Sequence, residues 1–125
     1  MNVFNNDKPI YLQIKEYIEA AILNGDLSEN EPIPSLRQLA KDFSLNPITI
    51  ANAINILEND DVLYKKRGVG VFVQKNAKKK IVSKQRSEFI RTTLPQIIGK
   101  AKLLDVAEES ITECIKNIYG GKDDK

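Results

Sequence analysis

The chain has no histidine and no tryptophan, one cysteine and one methionine, and aromatic residues fill only 6% of its 125 positions. Without imidazole there is no His-based acid–base catalysis, no His metal ligand and no Ser-His-Asp arrangement. A single cysteine forms no intrachain disulfide, so the fold must rest on a core. A GxxxxGK[ST] phosphate loop is missing, and Gly68-Val69-Gly70 falls far short of a nucleotide-binding fingerprint. These absences argue against an enzyme and call for no cofactor and no metal. No apolar run approaches the roughly 18 residues of a membrane span, and the first stretch, MNVFNNDKPIYLQ, is polar where a signal peptide would be apolar. The expectation is a soluble, cytoplasmic protein with no membrane partner.

Hydrophobic residues make up 42% of the chain and charged residues 29%, the balance of a globular domain. The length allows one domain, or one small domain with an appendage. The net charge of +2 conceals an uneven distribution. Up to Asp61 there are four Lys/Arg against ten Asp/Glu. From Val62 to Ser87 there are nine Lys/Arg and no acid. Such a window attracts a polyanion through phosphate neutralisation, or it is a solvated basic linker.

Apolar spacing predicts a helix over Pro9–Asn24, with Ile10, Ile14, Tyr17/Ile18 and Ala21/Ile22 facing inward and Gly25 as its stop. A polar loop, Asp26–Pro34, follows. Ser35 is an N-cap for a second helix, Leu36–Phe43, whose inward residues are Leu36, Leu39, Ala40 and Phe43. Asn46-Pro47 starts a third helix that runs to about Asn59. Ile50, Ala53, Ile54 and Leu57 form its inner stripe. Its other face carries Ile48, Thr49, Asn52 and Asn55, where a solvated surface would carry Lys and Glu. Asn bonds bidentately to adenine, although exposed Asn in an Asn-rich sequence is the plainer explanation.

Val62–Tyr64 and Val71–Val73 read as a hairpin around the basic loop Lys65–Gly70. Gln74–Lys80 reads as a linker, placing a domain over residues 1–76 and a helical region over 77–125. In the latter, a helix over Ile81–Leu103 is interrupted by Pro95, which should bend or divide it. After a turn at Leu104–Val106, a final amphipathic helix covers Ala107–Tyr119. The tail Lys122–Lys125 is expected to be disordered. Two segments are too few to close a core, so their apolar residues must meet the first domain or a second copy of the chain. Phe89, Leu94, Ile97, Ile111, Ile115 and Ile118 are the candidate dimerisation residues. Cys114, within the apolar stripe, reads as a small core residue.

Three helices and a basic hairpin make a winged helix-turn-helix, a mainly α fold with a small β-wing. The stretches PIYLQIKEYIEAAILNGDL and PIPSLRQLAKDFSLNPITIANAINILENDDVLYKKRGVGVFV resemble the DNA-binding domain of the GntR family of bacterial transcription regulators. The short helical C-terminal part is similar to the YtrA-like subfamily. The resemblance implies that Arg37, Asn46 and Thr49 hold DNA-contacting positions and that Gly68 and Gly70 are wing glycines. Asn52 stands where the family usually has a guanine-reading Arg, Val69 replaces a basic or polar tip residue, and Asp61 replaces a common Gly. The full candidate DNA-binding set is Ser35, Arg37, Asn46, Thr49, Asn52, Asn55, Lys66, Arg67, Gly68, Val69 and Gly70. The implied function is a homodimeric, sequence-specific repressor that binds double-stranded DNA at a pseudo-palindromic operator, with release by an unidentified small-molecule effector left open. The competing reading is an architectural nucleic-acid-binding protein without sequence preference.

Overall fold

The computed structural model describes residues 4–5 and 7–120. The disordered-tail expectation for Lys122–Lys125 lies outside them. The chain divides into two compact units, one ending at Lys84 and one beginning at Gln85.

The first unit opens with α1 (Ile10–Leu23), which buries Ile14, Ile18 and Ile22 along one stripe. Gly25 ends it at φ 92°, a left-handed conformation that glycine adopts without a Cβ clash. Glu19 is also buried on α1, 3% exposed, and is paired with Lys15 one turn earlier at 3.2 Å. Next comes α2 (Leu36–Phe43), turned sharply at Ser44, φ 56°, with the Leu45 N–H donating to the Ala40 carbonyl at 2.9 Å. α3 (Pro47–Asn59) buries Ile50, Ala53, Ile54 and Leu57. It packs on both α1 and α2. Two inward assignments are corrected: Tyr17 is 46% and Leu36 38% exposed. Each lies at the edge of its helix's apolar stripe. Tyr17 instead meets Phe43 edge-on, with ring centroids 4.9 Å apart.

Strands β1 (Leu63–Lys66) and β2 (Gly70–Val73) pair antiparallel, with Leu63 opposite Val73 and Lys66 opposite Gly70. The turn into β1 passes through Asp61 at φ 61°. It therefore keeps a left-handed backbone with a residue that tolerates this conformation better than most. The loop before α2 is not free. Asn30 N–H donates to the Val73 carbonyl, Val73 N–H to Glu31, and Ile33 N–H to Val71, at 2.7–3.0 Å. Pro32 bridges Phe72, so this segment covers one edge of the hairpin.

The linker expected at Gln74–Lys80 is corrected in part. α4 (Ala77–Glu88) starts within it, and Ala77 and Ile81 are fully buried in the first unit's core. Lys84 Nζ reaches Asp60 at 2.8 Å, and Lys80 Nζ the Asp61 carbonyl at 3.3 Å. The start of α4 is thus held to the α3–β1 turn by apolar burial on one side and by ammonium groups on the other.

In the second unit, a π-helical turn, Phe89–Thr93, precedes α5 (Leu94–Leu103). Pro95 does not divide the helix as expected: Glu88, Thr93 and Leu94 all keep helical backbone, and a single π-helical turn before the proline stands in place of a break. Proline has no N–H and its ring crowds the carbonyl four residues back, Arg91, so the preceding turn widens. Leu104–Val106 forms the turn into α6 (Glu108–Gly120). Among the described residues of this unit none is buried. Cys114 is exposed, correcting its assignment as a core residue: its own unit has no interior to receive it.

Truncating Ile81 to Ala should cost about 2–4 kcal/mol in urea denaturation, and Val82→Ala less than about 1 kcal/mol. Ile81 is 1% and Val82 38% exposed. Equal, small losses would show that α4 is not part of the first unit's core.

Candidate nucleic-acid interface

Helical geometry decides which residues α3 offers to solvent. At 100° per residue, burying Ile50, Ala53, Ile54 and Leu57 turns Ile48, Asn52 and Asn55 to the opposite side, within about 60° of one another. All three are exposed, and Thr49, on the flank, is half-buried. No residue on this face bears a charge, so neither a carboxylate nor an ammonium competes with the two amides for a partner.

Both helices of the helix-turn-helix begin with side-chain caps. Ser35 Oγ accepts from the Gln38 N–H at 3.0 Å, and Asn46 Oδ1 accepts from the Ile48 N–H at 2.8 Å. In each cap the acceptor oxygen is engaged while a donor stays available, the hydroxyl of Ser35 and the amide NH2 of Asn46. Uncompensated backbone N–H groups at a helix start also favour an anion. Arg37, in the first turn of α2, is exposed. Ser35, Arg37 and Asn46 thus present donors at the starts of two helices that pack on each other.

The wing carries its charge on β1 and at the tip, through Lys65, Lys66 and Arg67. Tyr64 and Phe72 stack across the hairpin at 5.7 Å, and Lys66 Nζ lies 4.5 Å from the Phe72 ring centroid. Lys66 is held along the sheet by this cation–π contact. Arg67, Gly68, Val69 and Gly70 form the exposed tip. Gly68 and Gly70 sit at φ 75° and 147°, where an L side chain would be strained. Every Lys and Arg of the basic window is exposed, and of these Lys80 and Lys84 reach the α3–β1 turn.

The structure thus gathers Asn46, Thr49, Asn52 and Asn55 on one helix, Ser35 and Arg37 on the helix packed against it, and Lys66–Gly70 on the hairpin. What the sequence reading underweighted is Ile48, 69% exposed between Asn46 and Asn52. Its place opposite the inner stripe was the available signal. Among the described residues there is no cluster of potential metal ligands, and no helix is long and apolar enough to cross a membrane.

Residues 10–73 match the family model of bacterial regulatory proteins, gntR family. The chain belongs to the GntR family. It is a DNA-binding regulator of transcription with a winged helix-turn-helix fold. It is 33% identical to the HTH-type transcriptional repressor YtrA of Bacillus subtilis (strain 168), over 91% of this chain and 90% of that protein. A solved transcriptional regulator from Oenococcus oeni superposes with a TM-score of 0.77 at 28% identity, covering 94% of this chain and 96% of the other. The structure of AraR(DBD) in complex with operator ORX1 matches 58% of this chain and 94% of its own, at 31% identity and a TM-score of 0.55.

Removing either cap should loosen this GntR-family head. Ser35→Ala and Asn46→Ala are each expected to lower stability by about 1 kcal/mol in chemical denaturation. Asn46→Asp, which retains the acceptor, should leave stability unchanged within about 0.5 kcal/mol. Loss of stability in Asn46→Asp equal to that in Asn46→Ala would rule out the capping role.

Proposed function

We propose that this GntR-family protein is a homodimeric repressor that reads a pseudo-palindromic operator. Each subunit inserts the start of α3 into a major groove and lays its wing along the neighbouring backbone or minor groove. The observation that carries this reading is the outer face of α3. Two amide side chains stand there one helical turn apart, and the cap donors of Ser35 and Asn46 are available for phosphate. That AraR(DBD), which is similar to this head, is solved in complex with an operator supports operator DNA as the partner.

The division of labour follows from chemistry. Ser35, Arg37, Asn46, Lys66, Arg67 and the tip glycines contact phosphates or approach the backbone, which fixes register but carries little sequence information. Asn52 and Asn55 face base edges, where an amide matches adenine N6 and N7. With Asn at position 52, the family's usual arginine is absent, and preference shifts from guanine towards adenine.

Dimerisation is assigned to the second unit. Phe89, Ile97, Ile115 and Ile118 are 46–68% exposed on a unit without an interior, while Leu94 and Ile111 are half-buried. Apolar surface of this extent is covered most economically by a second copy about a two-fold axis. Repression follows where the operator overlaps a promoter. Any effector acts by favouring the dimer geometry that does not fit DNA.

Selection of duplexes from a random library at about 150 mM salt is the direct test. A two-fold motif supports the reading, and enrichment without a motif supports an architectural binder instead. If each subunit neutralises about four phosphates, log Kd against log salt should have a slope of magnitude near 7. Asn52→Ala should weaken the selected site by about 1–3 kcal/mol and leave nonspecific DNA nearly unaffected. Equal losses on both DNAs would remove Asn52 from base reading. In sedimentation, the protein should run at twice its 14.1 kDa chain mass, and Ile118→Asp should shift it to monomer. A monomeric parent would overturn the dimer.

A further inference from the structure

Single exposed apolar residues are ordinary on protein surfaces, and most serve no purpose. The first unit exposes five large ones among its described residues, and their distribution is uneven. Tyr17, Leu36 and Val82 are 46%, 38% and 38% exposed, whereas Ile48 and Val69 are each 69% exposed. The two most exposed side chains therefore fall on α3's outer face and at the wing tip. Both belong to the surface assigned above to DNA.

Ile48 is the second residue of α3, and its N–H is fixed by the Asn46 cap at 2.8 Å. A β-branched side chain in a helix has essentially one χ1 rotamer. Its methyl groups are therefore presented in one direction without a large ordering cost. Asn52 follows one turn later on the same face. Residues in this first turn are the ones that reach base edges when a recognition helix enters the major groove.

An isoleucine side chain neither donates nor accepts a hydrogen bond. In the major groove adenine offers N6 and N7, guanine O6 and N7, and cytosine N4, and covering any of these with a methyl group leaves it without water or partner. Thymine alone offers an apolar group, its C5-methyl. The geometry points to Ile48 as a specificity-determining residue that selects thymine, by contact with that methyl group, at one position of each half-site. The inference rests on the DNA-reading role of α3 proposed above. It adds an apolar contact beside the amide contacts of Asn52 and Asn55, so that the half-site carries thymine and adenine within one helical turn of the protein.

The test uses the full-length protein and the duplex enriched from the random library. Each thymine is replaced singly by deoxyuridine, which removes the C5-methyl and leaves base pairing intact. One thymine per half-site should be sensitive, its replacement weakening binding by roughly three- to tenfold. Ile48→Ser should bind the parent duplex more weakly by a similar factor and lose its sensitivity at that thymine alone. Ile48→Val, which keeps the β-branch and loses only the terminal Cδ1 carbon, should retain part of it. Because Ile48 is exposed, folding is not at stake, and unchanged binding to nonspecific DNA serves as the control. A thymine effect equal in the parent and Ile48→Ser, or no thymine effect anywhere, overturns the assignment of Ile48 while leaving the operator-reading role standing. Recovery of no sequence motif overturns both.

Discussion

The inner stripe of α3 is the constraint on which the rest of the molecule depends. Ile50, Ala53, Ile54 and Leu57 lie at helical spacing and are buried against α1 and α2. Rotating α3 by one residue would drive Ile50 or Leu57, both fully buried, out into water. At about 25 cal/mol per Å2 of apolar surface, each such exposure costs on the order of 2–3 kcal/mol. The outward set of Ile48, Asn52 and Asn55 is therefore not chosen independently. It is the complement of the core, and its angular position is as fixed as the core itself.

The same core orients the wing. Val62, Leu63 and Val73 belong to it, and Phe72 is buried beside it, so the hairpin is anchored at its base while its tip projects. The loop before α2 adds hydrogen bonds along β2, and the start of α4 closes over the α3–β1 turn through Ala77 and Ile81. A two-stranded hairpin alone is marginal in water. Here the edge segment and the buried base supply what the two strands lack, leaving the side chains of Arg67 and Val69 exposed at the tip.

The second unit follows the opposite rule. Its helices α5 and α6 are amphipathic but find no buried position among its described residues. Two short helices enclose too little volume to form an interior, so their apolar residues stay exposed within the unit. One chain thus combines a head that has its own buried core with an appendage that buries none of its described residues. Its departures from family pattern are concentrated on the head, at Asn52, Asp61 and Val69. Asp61 sits at φ 61°, a left-handed conformation that suits glycine, while Asn52 and Val69 are exposed.

Sequence alone determined the elements that depend on local chemistry. Helix starts at Ser35 and Asn46, the stop at Gly25, the hairpin around Gly68 and Gly70, and the disturbance before Pro95 are all dictated within a few residues by caps, left-handed turns and missing donors. The outer face of α3 was equally legible, because it is fixed by the 3.6-residue period. Other features depend on residues distant in sequence, and only the tertiary structure decided them. Gln74–Lys80 is polar enough to read as a linker, yet Ala77 and Ile81 find the core that α1 and α3 provide. The segment at Asn30–Ile33 pairs with β2, some forty residues later, through backbone groups that carry no sequence signature. Cys114 sits on an apolar stripe but stays exposed, because periodicity says which side of a helix is apolar and not whether anything covers it. Local hydrogen bonding and helical period are written residue by residue, whereas burial is a property of what the whole chain brings together.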